Sequence, residues 1–280
     1  MCIRDSISLI PYITAGINND YINKGKTDYL RNIGFDMKFG INSGLNLDLT
    51  VNPDFSHVEV DQQVTNLDRF EIFFPEKRQF FLENDDLFSN NGRWGTRPFF
   101  SRRIGIATDT TTGLALQNPI PVGLRLSGKI SQNTRVGLLN MQGAKNDSIQ
   151  QPSINYTVAT IQQKVLNRSN LDFIFVNKQP FKLVLGDSSY QADRNQTVGL
   201  DFNLLSADNK WNGTLFLHHS FDEVKLKKAY ATGAYLNYSS LNWDWKISSQ
   251  HIGAGYNPEV GFVRRTDFRQ LASTIQYNYF

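Results

Sequence analysis

Apolar and polar side chains alternate one for one through much of this chain. Leu45, Leu47, Leu49 and Val51 are interleaved with Asn46, Asp48, Thr50 and Asn52, and Val198, Leu200, Phe202 and Leu204 with Gly199, Asp201 and Asn203. Leu241, Trp243, Trp245 and Ile247 repeat the pattern against Asn242, Asp244, Lys246 and Ser248. So do Leu271, Ile275, Tyr277 and Tyr279 against Ala272, Thr274, Gln276 and Asn278. A period of two places successive side chains on opposite faces of a strand. Less regular segments of the same kind lie near 33–41, 122–130, 135–142, 154–163, 171–177, 211–221, 229–239 and 250–256. Turn-forming groups separate them, among them Asn18-Asn19-Asp20, Asn42-Ser43-Gly44, Lys145-Asn146-Asp147, Ala207-Asp208-Asn209 and Asn257-Pro258. The pattern predicts antiparallel strands of about 8–11 residues joined as a meander.

Composition removes several classes of function. A net charge of +3 is too small for a nucleic-acid surface, which needs a clustered basic excess. With 20 Phe, 11 Tyr and 4 Trp the chain has ample material to bury and is not disordered. No run approaches the roughly 18 consecutive apolar residues of a transmembrane helix. The single Cys excludes a disulfide framework and a Cys-based zinc site. Met1–Ser6 has neither the basic start nor the apolar core of a secretory signal, and we set it aside as a non-native leader. The C-terminus stops within an alternating segment, so both ends read as cut from a longer protein.

Alternation of this kind fits two architectures. In a soluble sandwich the apolar face is the core, whereas in an outer-membrane barrel it meets lipid and the polar face lines a lumen. Three features favour the barrel. Strand lengths match the roughly 9–11 residues that a tilted strand needs to cross a bilayer. The clearest apolar faces carry no Lys or Arg. Aromatic residues recur near strand ends (Tyr156, Tyr190, Trp211, Tyr238, Tyr256, Tyr277 and Tyr279), where interfacial girdles place them. These features tilt the reading toward the barrel and leave open a soluble sheet in which the same aromatics are core residues.

Residues 53–103 do not alternate. Val60, Val64 and Leu67 suit one face of a short helix, and Pro75-Glu76 resembles a helix first turn. A connection this long is expected to be folded and functional. Its mixture of charges and Phe suggests an element that plugs or constricts the barrel, with an external loop subdomain as the alternative.

Several long runs in this chain resemble the DUF5916 family of Bacteroidota-type bacteria. They are Asn52-Pro53-Asp54-Phe55-Ser56 with Glu59 and Asp61, Phe73-Phe74-Pro75-Glu76-Lys77-Arg78, Phe80-Phe81-Leu82-Glu83, Phe100-Ser101-Arg102-Arg103-Ile104-Gly105 and Asn257-Pro258-Glu259-Val260-Gly261-Phe262-Val263-Arg264-Arg265. They occur in order from about residue 29 to the end. The resemblance implies an outer-membrane β-barrel, often preceded by a carbohydrate-binding family 9-like domain that this sequence lacks, and with it we expect residues 7–280 to form an antiparallel up-and-down transmembrane β-barrel, partial because the chain reads as a fragment. It carries over no catalytic residue and no glycan site. Gln79 stands where the family usually has Pro.

Candidate chemistry is sparse. Glu71, Glu76, Glu83, Asp85 and Asp86 lie close in sequence, but a glycosidase needs two carboxylates opposed across a bond, and Arg69, Lys77 and Arg78 offer ion-pair partners. Asp54, Glu59 and Asp61 lack the dense loop of an EF-hand. His218 and His219 are adjacent, so a strand would point them to opposite faces, and no HExxH spacing exists. We expect no catalytic residue, cofactor or metal. Arg102-Arg103 and Arg264-Arg265, with Arg97 and Arg269, are candidates to face the lumen and meet Glu71, Glu76 and Glu83 in a barrel–plug network that includes Arg78, with a role in pore selectivity or plain solvent exposure as the alternatives; on a regular strand only one Arg of each pair can point inward. The expected role is a non-enzymatic surface anchor or gated conduit in the outer membrane, its partners membrane lipid and, through an upstream domain, a glycan or glycan-derived solute. The rivals are a soluble sugar-binding sandwich and a hydrolase using the acids of 53–103.

Overall fold

The structure, a computed structural model, describes residues 7–20, 26–53, 73–93, 95–108, 115–181, 183–185, 188–190, 193–223 and 227–279. Twelve strands form one sheet: β1 Ile7–Asp20, β2 Lys26–Gly40, β3 Leu45–Val51, β4 Val122–Lys129, β5 Thr134–Gly143, β6 Ile154–Val165, β7 Ser169–Pro180, β8 Asn195–Leu205, β9 Trp211–Asp222, β10 Tyr230–Ser239, β11 Trp243–Ile252 and β12 Phe268–Tyr277. Every strand pairs antiparallel with its neighbours in sequence order. The expected meander is therefore present. The sheet is open, with β1 and β12 as its two edges, so these residues by themselves do not close a barrel. Among the described residues the other three sheets have two strands each.

Several boundaries differ from those read in the sequence. Asn18-Asn19-Asp20 is no turn but the end of β1, with Asp20 opposite Lys26. The segment near 250–256 leaves the sheet at Ile252, and the last strand runs from Phe268. The connection between β3 and β4 reaches residue 121, well past 103. Pro75-Glu76 lies outside any helix, and the first helix, α1, spans Gln79–Leu82, followed by α2 at Asp86–Ser89. Gln79 thus occupies a first helical position, where Pro is favoured for its missing N–H but is not required.

The two ends of the sheet are unlike. At one end the connections are short turns, 41–44, 130–133, 166–168, 206–210 and 240–242. They are closed by their own side chains: Asn42 Oδ1 accepts from the Gly44 and Leu45 amides at 2.8 and 2.9 Å, and Ser131 Oγ accepts from Asn133 and Thr134 at 3.2 and 3.0 Å. At the other end the connections are 52–121, 144–153, 181–194, 223–229 and 253–267.

The described residues of the long connection, 73–93 and 95–108, fold back onto one face of the sheet, the inner face. It touches β2 through Glu83 and β10 through Arg93, only ten positions apart in sequence. Eight strand spacings on a flat sheet would measure roughly 38 Å. A segment of ten residues containing a helical turn spans far less. The sheet must therefore curl around the insertion.

The outward face is apolar and uncovered. Leu124, Leu138, Ile161, Phe173, Leu200, Leu217, Trp243 and Leu271 all point to it, with Leu217 55% and Leu271 75% exposed. Toward the long connections this band gives way to a polar collar. Asn140 donates to Asn155 and Thr157 at 3.0 and 2.9 Å, and Gln196 donates to Asn177 at 2.9 Å. On β9–β12 the collar continues as His219, Tyr230, His251 and Arg269. At the short-turn end lie Trp211, Tyr238 and Trp245, with ring centroids 4.8 and 6.4 Å from Trp211, and the Trp243–Tyr277 pair at 4.8 Å. Of the expected girdle, Trp211, Tyr238 and Tyr277 lie here. Tyr156 faces inward and Tyr256 lies in the connection 253–267, both buried, and the Tyr190 side chain lies outside the described residues.

Candidate functional site

The site that the fold singles out is the seam between the insertion and the inner face. Its centre is apolar. Phe80 and Phe81 of α1 and Leu87 and Phe88 of α2 pack with Leu139, Met141, Val158, Ile174 and Val176 of β5–β7 in one buried cluster. On those strands both faces are apolar, as in Leu138-Leu139 and Phe173-Ile174-Phe175-Val176, the pattern of strands covered on both sides. That departure from alternation is the sequence signal that marks where the insertion sits. The fit depends on Gly137, where an added Cβ would come within 2.7 Å of the Phe88 ring and of Thr160 Oγ1.

Ionic contacts hold the insertion on the β2–β5 side. Arg125 is buried, donates to Asp48 Oδ2 through Nε and Nη2 at 3.0 and 2.8 Å, and reaches the Phe80 and Glu83 carbonyls through Nη1. Its guanidinium also lies over the Phe80 ring, 4.9 Å from the centroid. Lys38 of β2 pairs with Glu83, and Arg135 of β5 pairs with Asp86 at 2.6 Å. A fixed, planar five-donor fork suits Arg125 to join a wall carboxylate and a helix end at once.

On the other side the contact is a buried acid–imidazole pair. Asp201 of β8 accepts from the Gly92 amide through Oδ2 at 2.6 Å, and its Oδ1 lies 2.7 Å from His218 Nε2 on β9. Both side chains are fully buried. Gly92 has φ of 78°, and a Cβ there would meet the Thr96 carbonyl at 2.0 Å, so only Gly can present this amide. Beside it Arg93 stacks on Tyr235 of β10 at 3.7 Å. His219 faces outward, so the two adjacent imidazoles do part to opposite faces. The loop 253–267 is fastened to the same inner face by Lys178 on Glu259.

The expected network is only partly the observed one. Glu76 and Arg78 meet, but inside the insertion: Arg78 donates to Glu76 at 2.7 and 2.9 Å and to the Ser101 and Ile104 carbonyls at 2.7 and 2.8 Å. Burial alone would raise the Glu76 carboxyl, but the hydrogen bonds and charge of Arg78, with the Ser101 hydroxyl, outweigh it and hold the group below its ordinary range. Asp85 goes the other way, raised by burial more than the Ser89 hydroxyl lowers it. Arg102 and Arg103 are not on a wall strand; they lie in a 3-10 turn, Arg102 donating to the Pro75 carbonyl at 2.8 Å and Arg103 to the Gly261 carbonyl at 3.1 Å. Arg264 and Arg265 are exposed in the 253–267 connection. Arg269 faces outward, and Arg97 lies over the Phe73 ring. Glu83 is the expected residue that does bridge wall and insertion, through Lys38 and Arg125, neither of which the sequence singled out. Glu71, Arg69, the Asp54/Glu59/Asp61 group, His57 and the Val60/Val64/Leu67 helix lie outside the described residues.

Where the insertion leaves the inner face of β10–β12 uncovered, a gap of about 610 Å³ remains, lined by Lys246, Gln250, Arg264, Arg265 and Gln270 among others. Among the described residues no group of three His, Cys, Asp or Glu side chains could hold a metal ion. The carboxylates near the helices have separate partners: Glu76 has Arg78, Glu83 has Lys38 and Arg125, Asp86 has Arg135 and Asp85 has Ser89.

A family model described as a domain of unknown function, DUF5916, matches residues 5–280. No curated protein matches the chain.

Proposed function

The chain belongs to the DUF5916 family, and on that premise we propose that it forms part of the wall of an outer-membrane β-barrel whose lumen is obstructed by its own insertion. The observation that carries this reading is the sidedness of the sheet. The outward apolar face is left open, while the insertion covers the opposite face, apolar at its centre over β5–β7 and polar on either side with Asp48, Arg125, Asp201 and Thr197. In water an exposed band of Leu, Ile, Phe and Trp across ten strands would drive association; in hydrocarbon it is the required surface. On β8, Gln196 and Leu204 bound the band eight residues apart, and on β11 so do His251 and Trp243. Eight residues rise roughly 26 Å along a strand, or about 20 Å across the bilayer at the usual tilt, near the apolar height of outer-membrane barrels.

In this reading the protein is no enzyme. It serves as a surface anchor or a gated conduit, with Arg125 and Asp201 fixing the insertion and the cationic gap beside it as the residual passage. Basic linings favour anions. Short turns mark the periplasmic end, and the long connections, the insertion among them, the outer surface. Any handling of glycans belongs, on the resemblance, to a module ahead of the barrel, and we assign no sugar site to this chain.

Fractionation tests the location: the full-length protein should be recovered with the outer membrane and require detergent for release, and recovery in the aqueous phase rejects the proposal. Planar-bilayer recordings test the conduit. Stepped currents that grow on deletion of the insertion, with anion preference reduced by Arg264→Gln and Arg265→Gln, are expected of a conduit. Silence of both forms assigns the protein to anchoring.

A further inference from the structure

A groove of about 360 Å³ crosses the outward face over β8–β12. Gly213, Ala234 and Ser249 form its floor, and Phe202, Leu236 and Leu271 stand around it. Ala234, Ser249 and Leu271 lie side by side in register. The next outward row toward the long connections is Thr232, His251 and Arg269. The Arg269 Nε–H donates to His251 Nε2 at 3.2 Å, and the Tyr230 hydroxyl lies 3.4 Å from the same ring. Toward the short turns the groove ends at Gly213, Leu236 and Ile247, and the next outward row is Trp211, Tyr238 and Trp245.

Charge decides what fits. Among the outward positions of β3–β12, Arg269 is the one charged side chain, and no Asp or Glu occurs there. The exposed charges of the neighbouring connections, Lys227 and Lys228 against Glu223 and Asp267, cancel. The outward strand positions of β3–β12 in a second copy would bring no acid to Arg269. A lipid with an anionic phosphate head brings both the acid and an apolar chain.

We propose that this groove holds one acyl chain of a lipid whose anionic phosphate head is bound by Arg269. His251 and Tyr230 orient the guanidinium, and the chain runs down past Ser249 and Ala234 to Gly213. The inference rests on the membrane-wall reading above.

The test uses the chain reconstituted in phosphatidylcholine vesicles with a minor fraction of phosphatidic acid, the acyl chains of one lipid at a time brominated to quench the Trp residues at the foot of the groove. Wild type should be quenched preferentially by brominated phosphatidic acid, an apparent preference of about fivefold for a single cation at the interface. Arg269→Gln should abolish the preference, Arg269→Lys should keep most of it, and Ala234→Leu with Ser249→Leu should weaken quenching from the bound chain. Equal quenching by both lipids in wild type, a preference that survives Arg269→Gln, or quenching that falls as protein density rises (a second copy in the groove) overturns the lipid site alone. A chain that never enters the vesicles overturns the wall reading together with it.

Discussion

Arg125 lies at the point where wall and insertion exchange charge, and its loss should be felt beyond one ion pair. Arg125→Met leaves the buried Asp48 carboxylate with the more distant Lys38, at 4.0 Å, in place of its close partner, a loss of up to about 3–5 kcal/mol for a buried pair. Adding Asp48→Leu to that variant should recover much of the loss, as measured by denaturant unfolding in detergent. An equal loss in single and double variants would mean that the carbonyl contacts to Phe80 and Glu83 carry the energy instead. Two acids of the insertion, Glu76 and Asp85, are shifted in opposite directions. The lowered Glu76 pKa stabilises the fold above the unfolded value of roughly 4.3, and that contribution disappears as pH falls through the lower folded value. The raised Asp85 pKa means that ionisation opposes folding at neutral pH. Asp85→Asn should therefore raise stability near neutrality and lose that advantage in acid, whereas Glu76→Gln should be destabilising near neutrality and approach wild type in acid. Unfolding curves over that pH range check both.

At the scale of elements, the seat of α2 is the most exposed to test. Gly137→Val places side-chain atoms where the Phe88 ring now lies, at a separation of about 2.7 Å for the first carbon alone. We expect faster proteolysis within 79–108 with the strands still protected, because overpacking here displaces the helices and spares the outward face. Polarity along the strands was legible in the sequence, since Leu200 or Trp243 against Asp201 or Asp244 needs only the period of two. The seam was only half legible. The two-sided apolar run at Leu138–Met141 carried the signal, but Arg125 sits in an ordinary alternating strand and nothing local marks it as a partner of α1. Arg102 and Arg103 stand in a 3-10 turn that directs both to backbone carbonyls, a placement that two adjacent basic residues do not signal. The Asn18–Asp20 group stays in β1 because turn formers are tolerated in a strand whose pairing continues through them to Lys26.

For the whole molecule, the curled sheet with unequal ends predicts a direction. Protease or a labelling reagent added to intact cells should reach the connections 144–153, 181–194 and 253–267 but spare the short turns until the envelope is opened. The reverse accessibility would invert the orientation without changing the fold. The sequence could not show that the twelve strands leave two edges, because alternation reports faces and says nothing about which strand lies beside which. Nor could it show that Glu83 and Arg93, ten residues apart, would reach walls eight strands apart.

Nitroxide scanning along β8 and β9 in reconstituted vesicles measures the sidedness itself. Labels placed one at a time at Leu200, Phe202, Leu215 and Leu217 should collide freely with oxygen and scarcely with a water-soluble nickel chelate, while labels at Thr197, Asn203, Thr214 and Ser220 should show low oxygen access, with the period of two preserved along each strand. Equal exposure of both sets to the aqueous chelate would place the apolar face in water and contradict the account.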